Sequence, residues 1–271
     1  MAGRLNGKVC IVTGSTSGIG RGVAKLFAKE GGKVAVCGRR QEKGERVVKE
    51  IEDAGGEAIY VQMDMASEES IRAGVAKVVD KWGTVDVLVG NAGFGTGPFP
   101  FEELDIAKHY DPAFDVMLKG NWIITSACLP YMLEKQNGSV IYTSSIAGLA
   151  SASGAIAYAA SKAALQSTAK SLAVLYGKNN IRFNVVVPGT IASEMSYEDS
   201  PIVQITVKNT PMGRVGQPEE IAHVYLLLAT DECPFLTGEL IPVDGGIITT
   251  EMPLDMDPNA VGADKTGEES K

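Results

Sequence analysis

The chain has 271 residues, of which 45% are apolar and 21% charged, and it carries a formal net charge of −8. Such a length and composition describe a globular protein with one large α/β domain or two small ones. The acidic balance argues against nucleic acid and anionic membrane partners, which select for clustered Lys and Arg, and no apolar run nears the ~18 residues of a membrane span.

The opening residues MAGRLNGK hold no apolar signal-like stretch, and Cys10, Cys37, Cys128 and Cys233 form no C-x-x-C pair. A cytoplasmic protein with reduced thiols is the expectation. His109 and His223 have no ligand-type neighbours at a useful spacing, so no metal site is expected.

Strand and helix patterns alternate along the chain. Val9 to Val12 is an apolar run that ends at Thr13. Gly14-Ser15-Thr16-Ser17-Gly18-Ile19-Gly20 follows, and then a helical pattern with Val23, Ala24, Phe27 and Ala28 on one face. A glycine turn of this kind aims backbone N–H groups from a helix N-terminus at an anion, and leaves no Cβ in the way of a pyrophosphate. Its spacing is G-x-x-x-G-x-G rather than G-x-G-x-x-G, and glycines in such turns also serve packing alone. Lys33 to Cys37 reads as the second strand, Arg40 to Ala54 as a charged helix, and Ala58 to Gln62 as the third strand. Ser67 caps a helix with Glu68 and Glu69 in its first turn. Val85 to Val89 is the fourth strand, leading into Gly90-Asn91-Ala92-Gly93 and a loop through Pro100. Pro112 opens a long helix to Glu134. Ser139 to Thr143 is the fifth strand, and Ala155 to Tyr176 is a helix with Ala159, Ala163 and Ser167 on one face. Ile181 to Val187 is the sixth strand, a helix starts at Gln217-Pro218-Glu219-Glu220, and Glu239 to Val243 is the seventh strand.

This alternation predicts one α/β domain over 1–250: a Rossmann-type, doubly wound, parallel seven-stranded sheet with helices on both faces. The segment 251–271 has six acids and two lysines and reads as an unstructured tail. Ligands of such a sheet bind at the carboxyl ends of its strands. Those ends are the Gly14 turn, Gly38-Arg39, Asp64, Asn91-Ala92-Gly93, Ser144-Ser145 and Pro188-Gly189.

Tyr158 and Lys162 stand four residues apart on a predicted helix and share a face. A phenol, with a pKa of about 10, is a poor acid-base catalyst near neutrality, and a neighbouring ammonium lowers that pKa. Ser145, thirteen residues earlier at a strand end, offers a hydroxyl to a carbonyl oxygen. On spacing alone, a surface tyrosine with a chance lysine is the competing reading.

The motifs TGSTSGIG (Thr13 to Gly20), Asp64, NAG (Asn91 to Gly93), SSIAG (Ser144 to Gly148), YAASK (Tyr158 to Lys162), Pro188-Gly189 and the C-terminal TGELIPVDGG run in order from Lys8 to Gly246. Together they resemble the short-chain dehydrogenase/reductase family. The resemblance implies that Tyr158 is the general acid/base, that Lys162 lowers its pKa and holds the nicotinamide ribose, and that Ser145 orients the substrate oxygen. It implies that the turn from Gly14 through Ser15, Thr16, Ser17, Gly18, Ile19 and Gly20 holds the pyrophosphate. Asp64 would meet the adenine ring, Asn91 would lie against the cofactor near the adenine side, and Ile191, just past Pro188-Gly189, would hold the carboxamide; Met65, Ala92, Gly93, Pro188, Gly189 and Ser193 are further candidates to touch the cofactor. A homotetramer, paired through the two long helices, is also implied.

One departure stands out. The family usually has asparagine in an N-L-x-G pattern before the fifth strand, where this chain reads Met117-Leu118-Lys119-Gly120. A thioether cannot hold the relay water that the asparagine positions. Asn121, one turn on, is the candidate replacement.

Cofactor choice is expected to lie at the end of the second strand. The family's NAD-selecting acid position is Gly38, followed by Arg39 and Arg40. Without a carboxylate to accept from the 2′-hydroxyl, and with guanidinium beside it, NADP(H) is the expected cofactor. Plain surface charge is the alternative for both arginines.

Met195 to Val207 resembles the family's substrate lid, with Met195, Tyr197, Ile202, Val203 and Ile205; Phe94, Phe99 and Phe101 are candidates for the opposite wall. This lining predicts a bulky apolar alcohol or ketone of hydroxysteroid or bile-acid type, unless these residues only pack the loop onto its own domain. The competing expectations are a 3-oxoacyl-carrier-protein reductase and a cofactor-binding scaffold without turnover. The carrier-docking arginines of such reductases align with Gln136 and Asn179.

Overall fold

The computed structural model describes residues 3–96, 99–150, 155–192 and 201–249. Seven parallel strands form one sheet in the order β3-β2-β1-β4-β5-β6-β7. They are β1 (Val9–Thr13), β2 (Lys33–Gly38), β3 (Glu57–Gln62), β4 (Val87–Gly90), β5 (Gly138–Thr143), β6 (Ile181–Pro188) and β7 (Leu240–Val243). The inner strands are buried along their whole length, as β1, β5 and β6 show, which is why β1 reads as an apolar run rather than an alternation, while β6 buries Arg182 and Asn184 as well. β1 pairs with β2 on one side and β4 on the other, so the winding direction reverses at the carboxyl end of β1. In doubly wound sheets that reversal opens a ligand crevice.

The helices are α1 (Gly18–Lys29), α2 (Gln41–Asp53), α3 (Glu68–Trp82), α4 (Asp111–Phe114), α5 (Gly120–Lys135), α6 (Ile156–Tyr176), α7 (Pro201–Lys208) and α8 (Pro218–Ala229). One core joins the sheet to α3, α5 and α6 through residues such as Ile71, Ile124 and Leu165. The other joins it to α1, α2 and α8 through Phe27, Ile51 and Tyr225. Phe27 is fully buried, a contribution of roughly 1.5–3 kcal/mol. Ser67 caps α3 by accepting from the Ser70 N–H at 3.2 Å.

Three elements differ from the sequence expectation. β4 starts at Val87, not Val85, because the Asp86 carboxylate takes the Val9 N–H at 2.8 Å and stands in for a ladder bond. The helix expected from Pro112 begins earlier: a π-helical turn at Ile106–Tyr110 leads into α4, and a second at Asp115–Lys119 leads into α5. Pro112 is tolerated because it lies at the start of α4. The expected lid contains α7, with Val203 turned inward and Ile205 outward. Met195, Tyr197 and Ser193, the side chain of Ile202, and the tail 251–271 lie outside the described residues. No helix among the described residues is long and apolar enough to cross a membrane.

Candidate active site

A crevice of about 430 Å³ opens at the carboxyl ends of the strands. On its floor, the glycine turn is fixed before any ligand arrives. Gly14 has φ +64°, and a Cβ there would stand 2.8 Å from Ala92 Cα. A side chain at this position therefore meets both strain and backbone. Thr13 Oγ1 accepts from the N–H groups of Asn91 and Ala92 at 2.9 and 3.0 Å. Asn91 answers by donating its side-chain amide to the Thr13 carbonyl at 3.0 Å. Thr143 donates to the Asn91 side-chain oxygen at 3.3 Å, which ties β5 to the same knot.

Above that knot the N-terminus of α1 faces the crevice. Its cap residue Ser17 makes no side-chain cap bond and its first turn holds no acid. Gly14, Thr16, Ser17, Gly18 and Ile19 line the wall here. Helix N–H groups left free of an acidic side chain suit a phosphate, so the residues present fit a dinucleotide's pyrophosphate. Gly38, Arg39 and Arg40 line the neighbouring wall, with Asp64 and Met65 beyond them. Asn91, Ala92, Gly93, Pro188, Gly189 and Ile191 also border the space.

Two residues expected in this wall lie behind it. Ser15 is fully buried; its hydroxyl donates to the Val12 carbonyl at 2.6 Å and accepts from the Cys37 N–H at 2.9 Å. Gly20 is buried too, and a Cβ there would come within 2.6 Å of the Asn91 amide. Both shape the turn from behind. Among the three aromatic candidates, Phe94 lines the crevice, whereas Phe99 stacks on the His109 ring at 4.0 Å and Phe101 is exposed.

Tyr158, Lys162 and Ser145 meet at the other end of the crevice. Ser144 holds α6 against the end of β5: its hydroxyl donates to the Lys162 carbonyl at 2.8 Å and accepts from Gln166 at 2.9 Å. Ser145 is the next residue along; its hydroxyl accepts from the Ala147 N–H at 3.1 Å, and it lines the crevice beside Tyr158. Burial pushes the Tyr158 phenol up, and the neighbouring Ser145 hydroxyl pulls it partway back. The ammonium of Lys162 donates to the Thr143 carbonyl at 2.7 Å and stands 5.6 Å from the centre of the Tyr158 ring. Burial pulls Lys162 itself down to about 8. Ser145 is the neighbour that lowers the phenol here, while the Lys162 ammonium is held by the Thr143 carbonyl.

Met117 is fully buried in a small cluster with Ala113 and Ala157, beside Tyr158. Its sulfur accepts from the Ser161 hydroxyl at 3.8 Å. Asn121 is turned elsewhere: its amide donates to the Met117 carbonyl at 2.8 Å, and its side-chain oxygen is buried against Gly90.

Thr13, Thr143 and Ser144 stand in the sequence reading only as strand-end and motif positions; the structure gives them their hydrogen-bonding roles. Each is a hydroxyl residue at the carboxyl end of a strand or just past it, the place where such a fold builds its site.

A parallel sheet with this crevice, and a Tyr-Lys pair on the helix beside it, defines a Rossmann-type oxidoreductase. The chain belongs to the short-chain dehydrogenase/reductase family, and the family model described as enoyl-(acyl carrier protein) reductase matches residues 14–248. It is 37% identical over 246 residues to the 3-oxoacyl-[acyl-carrier-protein] reductase FabG of Thermotoga maritima, covering 90% of this chain and 99% of the relative. It is 34% identical over 247 residues to the 2,5-dichloro-2,5-cyclohexadiene-1,4-diol dehydrogenase LinX of Sphingobium indicum, covering 91% and 98%. It is also 34% identical over 247 residues to the cis-4-hydroxycyclohexanecarboxylate dehydrogenase of Sinomonas cyclohexanicum, covering 88% and 96%. Members of the family use a nicotinamide cofactor, and the chain is an oxidoreductase of the alcohol/ketone type.

Proposed function

We propose that this protein is an NADP(H)-dependent dehydrogenase/reductase that interconverts a secondary alcohol and a ketone on a bulky apolar ring substrate, of the hydroxysteroid or bile-acid kind. The observation that carries the reaction is the meeting of Ser145, Tyr158 and Lys162 at one end of the crevice, with the Lys162 ammonium 5.6 Å from the centre of the Tyr158 ring. In reduction, the Tyr158 hydroxyl gives its proton to the carbonyl oxygen while Ser145 donates to the same atom and fixes its position. The upward pull of burial on Tyr158 keeps the proton in place until a ketone needs it. In oxidation the substrate hydroxyl returns a proton to the Tyr158 oxygen as its carbon loses hydride. When bound, the nicotinamide ring supplies the hydride or accepts it. The glycine turn holds the pyrophosphate, Lys162 the nicotinamide ribose, and Arg39 and Arg40 the 2′-phosphate, a role supported by their place in the crevice wall beside Gly38.

Phe94 and Val116 give the crevice an apolar edge, and two relatives are named for ring alcohols; both points favour a ring substrate. The second reading, a 3-oxoacyl-carrier-protein reductase, rests on the name of the Thermotoga relative. Against it stands the neutral pair where carrier-docking arginines align: Asn179 donates to Gln136 at 3.4 Å. A net charge of −8 also disfavours an acidic carrier. A cytoplasmic setting fits four free cysteines, three of them buried. A homotetramer through α5 and α6 fits exposed Trp122, Val174 and Leu175 on those helices.

Following cofactor absorbance with ketosteroids, small cyclic ketones and an acyl thioester, each with NADPH and with NADH, tests the reading. Ring-ketone turnover with NADPH supports it. Turnover confined to the thioester favours the carrier reductase, and no turnover with any of them favours a scaffold.

A further inference from the structure

Thr16 lies between the two parts of the cofactor wall, and its two γ-substituents face different neighbours. A Cβ built on Gly38 would stand 2.6 Å from the Thr16 methyl carbon, and 3.5 Å from its hydroxyl oxygen. The hydroxyl accepts from the Arg40 guanidinium at 3.3 Å, and Ser17 accepts from the same nitrogen at 3.2 Å.

The backbone at position 38 is tethered: the Gly38 carbonyl accepts from the Tyr60 hydroxyl at 2.7 Å and from the Met63 N–H at 3.1 Å. Ser15, the residue before Thr16, ties the turn to β2, with its N–H on the Cys37 carbonyl at 3.1 Å and its hydroxyl on the Cys37 N–H at 2.9 Å. A side chain at position 38 is therefore admitted with least disturbance by rotating Thr16. Rotation moves the hydroxyl that holds Arg40.

We propose that Thr16 is a specificity-determining residue for the cofactor. Its methyl reserves the end of β2 against any side chain, and its hydroxyl holds Arg40 over the glycine turn as a binding group for a 2′-phosphate. This rests on the NADP(H) reading above. It adds that the acid of an NAD-type site cannot be installed at position 38 while threonine stays at 16.

The test is a double-mutant cycle read by binding and by melting. NADPH and NADH are titrated by nicotinamide fluorescence against wild type, Gly38→Ala, Thr16→Ser and the double variant, and melting temperatures are taken on the cofactor-free proteins. Gly38→Ala, which adds no charge, is expected to weaken NADPH binding by about tenfold and to lower the melting temperature. Thr16→Ser, which removes the methyl and keeps the hydroxyl, is expected to reverse both losses in the double variant. Gly38→Asp is expected to gain NADH affinity only when combined with Thr16→Ser. Additive effects in both readouts, or a full switch to NADH by Gly38→Asp alone, overturn the proposal. If wild type binds NADH more tightly than NADPH, the phosphate role of Arg40 falls with the cofactor reading. The steric half is then decided by the melting cycle alone, where additivity overturns it and reversal upholds it.

Discussion

The side-chain amide of Asn121 donates to the backbone carbonyl of Met117 at 2.8 Å. One N–H of the candidate replacement for the missing asparagine is thus held by the carbonyl of the residue that displaced it, while its side-chain oxygen has no hydrogen-bond partner among the described residues. Met117→Asn is expected to keep or raise turnover, with a stability loss of roughly 1–3 kcal/mol for putting a polar group into an apolar cluster. Steady-state kinetics and urea melts measure the two effects separately. A sharp fall in turnover with the fold intact gives methionine its own part in the chemistry and overturns this account.

Tyr158→Phe keeps the ring that packs near Met117 and removes the hydroxyl that lines the crevice beside Ser145. Turnover is expected to drop by at least about a hundredfold, the usual scale for a lost general acid. Cofactor affinity, read by fluorescence titration, is expected to stay near the wild-type value. A variant that turns over at near-normal rate sinks the assignment.

Lys162 carries a pH signature. Its folded pKa, about 8, lies below the ordinary lysine value of 10.5. The unfolded chain therefore binds more protons between those values, and the lysine's contribution to stability rises with pH across that window and falls again as pH drops through it. Lys162→Met has no such dependence, and the buried thiols common to both proteins cancel in the comparison. Urea melts of cofactor-free protein are expected to show wild type gaining roughly 2 kcal/mol on the variant between about pH 8 and pH 9.5. A difference that is flat with pH refutes the buried-ammonium picture.

Trp122 is 55% exposed on α5, and its indole N–H donates to Thr168 of α6 at 3.1 Å. It thus braces the two helices whose outer faces form the proposed assembly surface. Trp122→Arg is expected to raise the dissociation constant of the tetramer by about tenfold or more. Light scattering checks this, and a wild-type monomer at micromolar concentration rules the assembly out.

Parallel winding was legible because strand and helix patterns alternate along the chain, and a buried strand such as Val9–Thr13 leaves a plain apolar run. Tyr158, Lys162 and Ser145 were legible through the family resemblance of the whole motif series, since on spacing alone a surface tyrosine with a chance lysine competes. Side-chain direction was not. Spacing brings Asn121 near position 117, but the π-helical turn at Asp115–Lys119 shifts the register in between, and the amide turns to the backbone. Nor does spacing separate Ser15 from Thr16: adjacent residues of similar chemistry, one is buried under the turn and the other lines the crevice. Phe94, Phe99 and Phe101 look alike in sequence, yet stacking on His109 decides where Phe99 goes.

The contact between position 38 and Thr16 also bears on how such a protein changes over generations. An acid arriving first at the end of β2 meets the threonine methyl across 2.6 Å with the backbone at 38 tethered, and destabilises the protein without giving it a working NAD site. A serine arriving first at 16 removes only a methyl and leaves the hydroxyl. On the proposed role of Thr16, the two substitutions are accessible in one order and obstructed in the other, and a lineage that gains an acid at position 38 must open the space before it fills it.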